Sequence, residues 1–206
     1  MSELALLGEG SLLALGGIGR VAAAAAAQAL VDAGVSALMT FGMAGGLDPK
    51  LTPGSVVIPC ELLSSDGARY AACSAWREQV AAAVGPWCAV TEGNLLTSSH
   101  ALETPADKAE AFRTTGAAAV DMESAVVAQI AAKHNLPFIA VRVIVDTAAD
   151  VLPRAVVAAS RAGRVRFARL IGGLILAPRE IGSLIRLAQR YRIAMRSLSA
   201  IGAHLG

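Results

Sequence analysis

The sequence predicts one α/β domain in which helices cover a central sheet, giving three layers. Short β-branched runs alternate along the chain with longer stretches whose apolar residues recur at helical spacing. Apolar residues make up 55% of the composition and aromatic residues only 4%, a profile that suits helices packed tightly on a sheet better than a β-sandwich. The 206 residues supply one well-packed domain, because two domains would each have a small core.

The composition excludes several classes of protein. Three cysteines, Cys60, Cys73 and Cys88, show neither CxxC nor Cys/His ligand spacing, so we predict reduced thiols and no metal site. No apolar run reaches the roughly 20 residues that a membrane-spanning helix requires. The chain also starts without the pattern of a signal peptide. We therefore expect a cytoplasmic protein without a bound cofactor.

The net charge of +2 hides an asymmetry between the two parts of the chain. Residues 1–150 contain eight basic and fifteen acidic side chains, a balance of −7, whereas residues 151–206 contain ten arginines and one acid, a balance of +9. We predict that residues 1–150 form the α/β domain and that residues 151–206 form a basic helical extension packed on it. Nucleic acid is a poor partner, because no aromatic stacking platform accompanies the arginines.

A glycine-rich segment joins the first predicted strand, residues 11–15, to an alanine-rich helix over residues 21–31. Gly17, Gly19 and Ala22 match GxGxxA, which is typical of dinucleotide-binding folds. Such a fold also needs an acid at the end of the second strand to hold the ribose diol, and this sequence has a glycine there. We favour the alternative that these glycines let the helix pack closely on the sheet.

The second predicted strand, residues 36–41, opens into a glycine-rich turn over residues 41–49. Without side chains, the backbone of such a turn can approach a bound group, and its amide hydrogens can face an anion or a sugar. A plain chain reversal is the alternative.

The next elements are expected in this order: a strand at 55–63, a loop at 64–69, a helix at 76–84, a strand from 86 to 90, a polar loop Thr97–His100, a helix at 104–114 capped by Thr104, and a strand at 117–120.

The central stretch, residues 119–150, combines a helix with a buried strand. Residues 122–133 have helical spacing, and residues 138–145 form a β-branched run. Glu123 is predicted in the first turn of the helix, and Asp146 follows the strand. In a parallel sheet, a helix that leaves one strand begins at the edge where the next strand ends, which is the edge where such sheets bind ligands. We therefore expect both carboxyl groups in one cleft; the alternatives are an ordinary first-turn acid and an N-cap for a helix from Thr147.

Three blocks, in this order and spacing, resemble the signature of the nucleoside phosphorylase and methylthioadenosine/S-adenosylhomocysteine nucleosidase superfamily. The blocks are Gly42-Met43-Ala44-Gly45-Gly46-Leu47, Val120-Asp121-Met122-Glu123-Ser124 and Val141-Arg142-Val143-Ile144-Val145-Asp146. The resemblance implies a single-domain three-layer αβα sandwich with a central mixed sheet, and a homo-oligomer. Together with the arginine-rich tail, the blocks are similar to the hopanoid-associated branch, which is implied to release adenine from adenosylhopane in hopanoid lipid biosynthesis.

Cleavage of a glycosidic bond passes through a cation-like sugar whose hydroxyls must be oriented while the departing base is protonated. A carboxylate at Glu123 can accept hydrogen bonds from a 2′,3′-diol. Asp146, if protonated, can donate to purine N7, and desolvation at an apolar strand end favours the protonated form. The resemblance implies that Met122 packs beneath the sugar. The remaining predicted substrate-binding residues are Met43, Ala44, Gly45 and Ser99.

Two departures from the family pattern leave the nucleophile open between water and inorganic phosphate. Phosphorolytic relatives bind phosphate with a serine in the glycine turn and with arginines; here Met43 takes the place of the serine, and Thr40 stands where an arginine often lies. Hydrolytic relatives activate water with an acid on the first strand, for which Glu3 or Glu9 is a poor substitute. The alternative function is a non-catalytic nucleoside-binding or membrane-associated protein that retains the fold.

The end of the chain predicts a basic amphipathic helix. An apolar segment, residues 166–177, ends at Pro178, after which apolar residues recur at helical spacing with arginines on the opposite face. The predicted apolar positions are Ile181, Leu184, Ile185, Ala188, Tyr191 and Met195. Packing against the body or a second subunit is one interpretation. Peripheral contact with the inner face of the membrane, next to a lipid-linked substrate, is the other.

Overall fold

The computed structural model describes residues 12, 14, 19–153 and 181–205. The predicted first strand apart from Leu12 and Ala14, residues 16–18 of the glycine-rich segment, Glu3, Glu9 and the apolar segment 166–177 lie outside the described residues. Within them the chain forms eight strands and five helices. Their bounds are α1 Arg20–Asp32, β1 Leu38–Gly46, β2 Val56–Val57, β3 Glu61–Ser64, β4 Arg69–Ala71, α2 Ser74–Val84, β5 Val90–Thr91, β6 Asn94–Thr97, α3 Pro105–Thr115, β7 Ala117–Asp121, α4 Ser124–Lys133, β8 Phe138–Asp146 and α5 Ile181–Leu205.

The strands form one mixed sheet in the order β4-β3-β6-β7-β1-β8-β2-β5. Strand β1 runs parallel to β8 and antiparallel to β7. Outward from this centre, β6 is parallel to β7 and β3 is parallel to β6, whereas β2 is antiparallel to β8. The predicted α/β fold with a mixed sheet is therefore confirmed. The parallel arrangement assumed between β7 and β8 is wrong, because the strand between them, β1, pairs with the two in opposite directions.

Helices cover the two faces of the sheet. Helices α1 and α4 pack together on one face, where small residues such as Ala23, Ala27 and Ala128 meet the side chains of β1 and β8. Helices α2 and α5 cover the other face over Val56, Ile139 and neighbouring apolar residues. The alanines of α1 and α4 allow close approach, as expected for a protein with few aromatic residues. The sheet is thus buried between two helical layers.

The glycine-rich segment is not the turn that the sequence predicted. Strand β1 continues through it to Gly46; Gly45 and Gly46 pair with β7 on one side, and residues 41–45 pair with β8 on the other. Pairing on both edges outweighs the low strand propensity of glycine. The predicted single strand at 55–63 is also wrong, because the chain between β2 and β3 leaves the ladder at residues 58–60.

Helix α3 matches its prediction closely. Thr104 accepts a hydrogen bond from the amide of Asp107 at 3.2 Å, and the Asp107 carboxylate accepts one from the amide of Thr104 at 3.1 Å, which forms a capping box. Pro105 occupies the first turn, and Gly116 ends the helix with a left-handed φ of 65°. These signals fix α3 at both ends.

Helix α5 packs on β8 and α2 through a different face from the predicted one. Ala194, Leu198 and Ile201 are buried against the body, whereas Ile185 and Tyr191, which the sequence assigned to the packed face, are exposed. The packed face lies along the i, i+4, i+7 series of Ala194, roughly a quarter to a third of a turn from the predicted stripe. Of that stripe, Met195 does pack against the same core cluster. Among the described helices, none is both long and apolar enough to cross a membrane.

Candidate active site

A cleft of about 210 Å³ opens where β1, β7 and β8 end. Side chains from these three strands, from the loop after β6 and from α3 form its walls. Six of the seven predicted site residues line it. The lining residues are Met43, Ala44, Gly45, His100, Ala101, Leu102, Lys108, Val120, Asp121, Met122, Glu123, Val145, Asp146 and Leu152.

Gly45 explains why the ends of β7 and β8 meet at this cleft. Its partner on β7 is Val120, and its partner on β8 is Asp146, which follows a register shift that skips Val145. A Cβ atom on Gly45 would lie 3.2 Å from Asp146 Oδ2 and 3.4 Å from Val120 Cγ1. The absence of a side chain therefore lets both strand ends approach β1. The predicted convergence of Glu123 and Asp146 occurs, although through antiparallel pairing rather than a parallel crossover.

Asp146 lies at the buried end of β8, with 5% of its surface exposed. Its Oδ2 accepts a hydrogen bond from Lys108 Nζ at 2.5 Å. The sequence predicted a carboxyl group in apolar surroundings, but an ammonium group faces it instead. The alternative in which Asp146 caps a helix at Thr147 is wrong: residues 147–150 form a turn in which the Asp150 carboxylate accepts from the amide of Thr147 at 2.8 Å.

Two cationic side chains attach this turn to the body of the protein. Lys108 from α3 donates to the carbonyl oxygens of Thr147 at 2.8 Å and Asp150 at 3.1 Å. Arg190 from α5 pairs with the Asp150 carboxylate. The segment that follows Asp146 is therefore held from two directions, and Leu152 reaches the cleft beyond it.

Glu123 lies at the N-cap of α4, one residue before the first turn in which it was predicted. Its Oε1 accepts a hydrogen bond from the amide of Gly19 at 3.1 Å, which brings the start of α1 against the cleft. Burial raises the pKa of the Glu123 carboxyl, and the negative charge of Asp121 raises it further, while the Gly19 amide opposes both effects. Glu123 is thus half-buried beside another acid.

A second buried ion pair lies beside the cleft. Asp121 Oδ2 accepts from Arg142 Nε at 2.9 Å and from the Ser124 hydroxyl, while Oδ1 accepts from the Thr97 hydroxyl at 2.8 Å. Arg142 Nη2 also donates to Thr40 and Ser124, each at 2.7 Å. Both oxygens of Asp121 are occupied, so this pair joins β1, β6, β7, β8 and α4.

The structure separates one predicted residue from the others and adds three that sequence reasoning missed. Ser99 is exposed and does not line the cleft; its hydroxyl lies 3.2 Å from Nδ1 of His100, which does. Signals for the missed residues existed. Arg142 interrupts a buried β-branched strand, and Lys108 shares one face of α3 with the partly buried Ala111 and Phe112, three and four residues later. The third, Asp121, ends β7 within a recognised block.

The cleft offers carboxyl groups at two places and an apolar surface between them. Glu123 presents acceptors for hydroxyl groups, and Asp146 presents an acceptor or a donor according to its protonation. Met43, Met122 and Val145 supply apolar surface, which suits a ring with polar edges. Among the described residues, no three His, Cys, Asp or Glu side chains come together as metal ligands.

Several solved structures share this fold at low sequence identity. The 5′-methylthioadenosine/S-adenosylhomocysteine nucleosidase from Neisseria meningitidis aligns with a TM-score of 0.70 and 21% identity, over 100% of this chain and 90% of that chain. The corresponding Helicobacter pylori nucleosidase aligns with a TM-score of 0.65 and 16% identity, over 91% of this chain and 74% of that chain. A mutant of futalosine hydrolase from Helicobacter pylori strain 26695 aligns with a TM-score of 0.61 and 17% identity, over 76% of this chain and 77% of that chain.

These alignments support the fold. The family assignment comes from the sequence, because residues 5–175 match the model of the phosphorylase superfamily, which is more than half of the chain. The match includes the three blocks that meet at the cleft. The protein belongs to the phosphorylase superfamily.

Proposed function

We propose that the protein cleaves the N-glycosidic bond of a 5′-substituted adenosine and releases adenine. The observation that carries this proposal is that Glu123 and Asp146, from separate elements, line one cleft. The matching structures of known activity are nucleosidases and a futalosine hydrolase, which act on the same kind of bond. We therefore assign the cleft to a nucleoside.

In this proposal the cleft holds the sugar at one end and the purine at the other. Glu123 accepts hydrogen bonds from the 2′,3′-diol, and Met122 packs beneath the sugar. Asp146 bonds the purine and provides the proton that the departing base requires. Met43, Ala44 and Gly45 form the adjoining wall. Ser99, one residue from the cleft-lining His100, stays a prediction for substrate binding.

Water is the nucleophile that the described residues favour. An inorganic phosphate needs unpaired cations or hydroxyl donors, whereas Lys108 in the cleft wall and Arg142 beside the cleft are paired with Asp146 and Asp121. Met43 supplies a thioether where phosphorolytic relatives are expected to carry a serine. Phosphate remains the second candidate, because both reactions would break the same bond.

For the 5′-substituent we propose a lipid, with adenosylhopane in hopanoid biosynthesis as the specific candidate. The support is the outer surface of α5, where the apolar side chains of Ile185, Tyr191 and Ile193 are exposed among Arg192 and Arg196. Such a mixture suits peripheral contact with an anionic membrane, where arginines meet headgroups and apolar side chains enter the interface.

The activity is tested by adenine release from adenosines with a 5′-methylthio or a long 5′-alkyl group, with and without phosphate. We expect release without phosphate and a higher kcat/KM for the alkyl substrate. Asp146→Asn should lower kcat by about 10²- to 10⁴-fold, while Glu110→Gln, an exposed acid of α3 paired with Arg113, serves as the matched control. No adenine under any condition would favour a non-catalytic nucleoside-binding protein, and release only with phosphate would make phosphate the co-substrate.

The membrane proposal is tested by sedimentation with vesicles that contain phosphatidylglycerol. We expect salt-sensitive binding that is lost in a variant carrying Arg192→Gln and Arg196→Gln. The control carries Arg69→Gln and Arg113→Gln, which remove the same charge from exposed positions outside α5. Equal binding by both variants would contradict a role for α5. A homo-oligomer is part of the proposal and is measured by light scattering of the same samples.

A further inference from the structure

Lys108 is the largest fully buried side chain in the described part of the chain, with 1% of its surface exposed. Lysine is almost never fully buried unless it is paired. All three hydrogens of its ammonium group have acceptors: Asp146 Oδ2 at 2.5 Å, Thr147 O at 2.8 Å and Asp150 O at 3.1 Å. The group also contributes to the wall of the cleft. Lys108 is therefore directed at Asp146 from inside the protein.

The ends of helix α3 are fixed without a charged pair, and the backbone contacts of Lys108 hold the turn after Asp146. Helix α3 is fixed by its capping box and by Gly116, and buried ion pairs often contribute no more stability than apolar residues of similar size. The other buried pair, Asp121 with Arg142, joins five elements, whereas Lys108 leaves one oxygen of Asp146, Oδ1, for a ligand in the cleft. This difference indicates a role in chemistry.

We propose that Lys108 and Asp146 hold one proton between them and that Lys108 is a positioning residue, which supplies this proton to Asp146 as the base departs. The inference rests on the proposed function of Asp146. The resting pair is an ammonium and a carboxylate. Desolvation disfavours both charged forms, so transfer across the 2.5 Å contact to give an amine and a carboxylic acid lowers the buried charge.

The proton and electron balance of the step is complete. The electrons of the C–N bond go to the purine, and the purine takes the proton from Asp146, which receives one from Lys108 Nζ. Water adds its oxygen to the sugar carbon and releases one proton to solvent. Lys108 regains one proton from solvent, which restores the resting pair.

Other charged groups surround this pair, and the test must separate them from it. Glu123 and Asp121 face the cleft from the β7–α4 junction, and His100 faces it from the loop after β6. Asp150 lies in the following turn, where its carboxylate is paired with Arg190 of α5. Arg142 is held by Asp121. Because His100 is the imidazole that lines the cleft, it is the neighbour that the test compares with Lys108.

The first experiment compares kcat as a function of pH for the wild type, Lys108→Met, Lys108→Arg and His100→Asn. For Lys108→Met we expect kcat near pH 8 to fall by about 10²-fold or more and the alkaline limb to move down by at least about one pH unit. KM should change by less than about threefold. Lys108→Arg should not restore kcat, because a guanidinium keeps its proton.

Three outcomes would overturn the inference. One is a dependence of kcat on pH in Lys108→Met that matches that of the wild type. Another is full recovery in Lys108→Arg, which would show that positive charge alone is sufficient. The last is an alkaline limb of the kcat profile that moves in His100→Asn but stays in place in Lys108→Met. Circular dichroism on each variant checks that it is folded.

A second measurement needs no substitution at Lys108. The chain has only three lysines, Lys50, Lys108 and Lys133, and the other two are exposed. In protein labelled with ¹⁵N-lysine, we expect one Nζ signal to titrate together with the alkaline limb of kcat and to shift in Asp146→Asn. A Lys108 signal that does not respond to Asp146→Asn would contradict the shared proton. This result stands even if no substrate is cleaved, so it is distinguishable from failure of the proposed function.

Discussion

The two buried ion pairs beside the cleft have similar partners but different surroundings. Arg142 and Asp121 belong to a network in which both carboxylate oxygens are occupied by donors from three elements. Lys108 binds only one oxygen of Asp146, and the pair forms part of the cleft wall. The comparison teaches that a saturated pair fixes strand positions, whereas an incompletely bonded pair beside a cleft remains available for chemistry.

The largest expected effect is the loss of stability when the buried pair of Arg142 and Asp121 is broken. Arg142→Met should lower the free energy of unfolding by about 3–5 kcal/mol, because it leaves Asp121 buried without its cation. Urea denaturation measures this change. Arg113→Met, which breaks an exposed pair with Glu110, is the matched control and should cost no more than about 1 kcal/mol. Similar losses in both variants would mean that the buried network does not fix the strands.

The next effect concerns the helix that carries Lys108. Thr104→Ala removes the capping box of α3 and should lower stability by about 0.5–2 kcal/mol. If α3 positions Lys108, kcat should also fall, whereas Thr114→Ala near the other end of the helix should leave kcat unchanged. Thermal unfolding and the adenine assay measure the two effects. Unchanged kcat in a destabilised Thr104→Ala protein would mean that the cap of α3 does not position Lys108.

A smaller effect is expected where α5 meets the turn after Asp146. Arg190 is about a quarter exposed and pairs with the Asp150 carboxylate. Arg190→Ala should therefore lower stability by about 1 kcal/mol or less. We expect KM to rise while kcat changes little, because the turn leads to Leu152 in the cleft wall. Arg192→Ala, two residues further along α5 and exposed, is the control; equal effects of the two variants would contradict this contact.

The smallest effect is a dependence of stability on pH that comes from Glu123. Its pKa is raised above the ordinary 4.5 by burial and then by Asp121, so the folded state binds this proton more readily than the unfolded state. The resulting stabilisation is present below the ordinary pKa and is lost as pH rises through the folded pKa. Glu123→Gln cannot titrate and should gain stability relative to the wild type as pH increases. A difference in unfolding midpoint that stays constant with pH would contradict the raised pKa.

Local signals in the sequence predicted much of this molecule. The cap at Thr104 predicted α3, the β-branched run predicted β8, and the two acids were placed in one cleft. These predictions succeed because caps and alternation act over a few residues. The prediction of a turn in the glycine-rich segment was wrong, because pairing with two neighbouring strands extends β1 to Gly46.

Lys108 and the packed face of α5 were not predicted for a related reason. A lysine on a short polar helix is normally assigned to solvent, and the burial of this one follows from the packing of α3 on β7 beside the end of β8. In α5, the packed face depends on where the helix crosses β8. The sequence pattern favoured Ile185 and Tyr191 because both are apolar, whereas the smaller Ala194 is the residue that fits against the sheet.

Gly45 also bears on how this cleft can change. Since Gly45 separates Val120 from Asp146 by backbone alone, the interval between the end of β7 and Asp146 is built into the sheet. Point substitutions in the walls therefore leave that interval in place. New substrates would have to be accommodated at the cleft mouth, through Leu102 and Leu152, where loops tolerate variation.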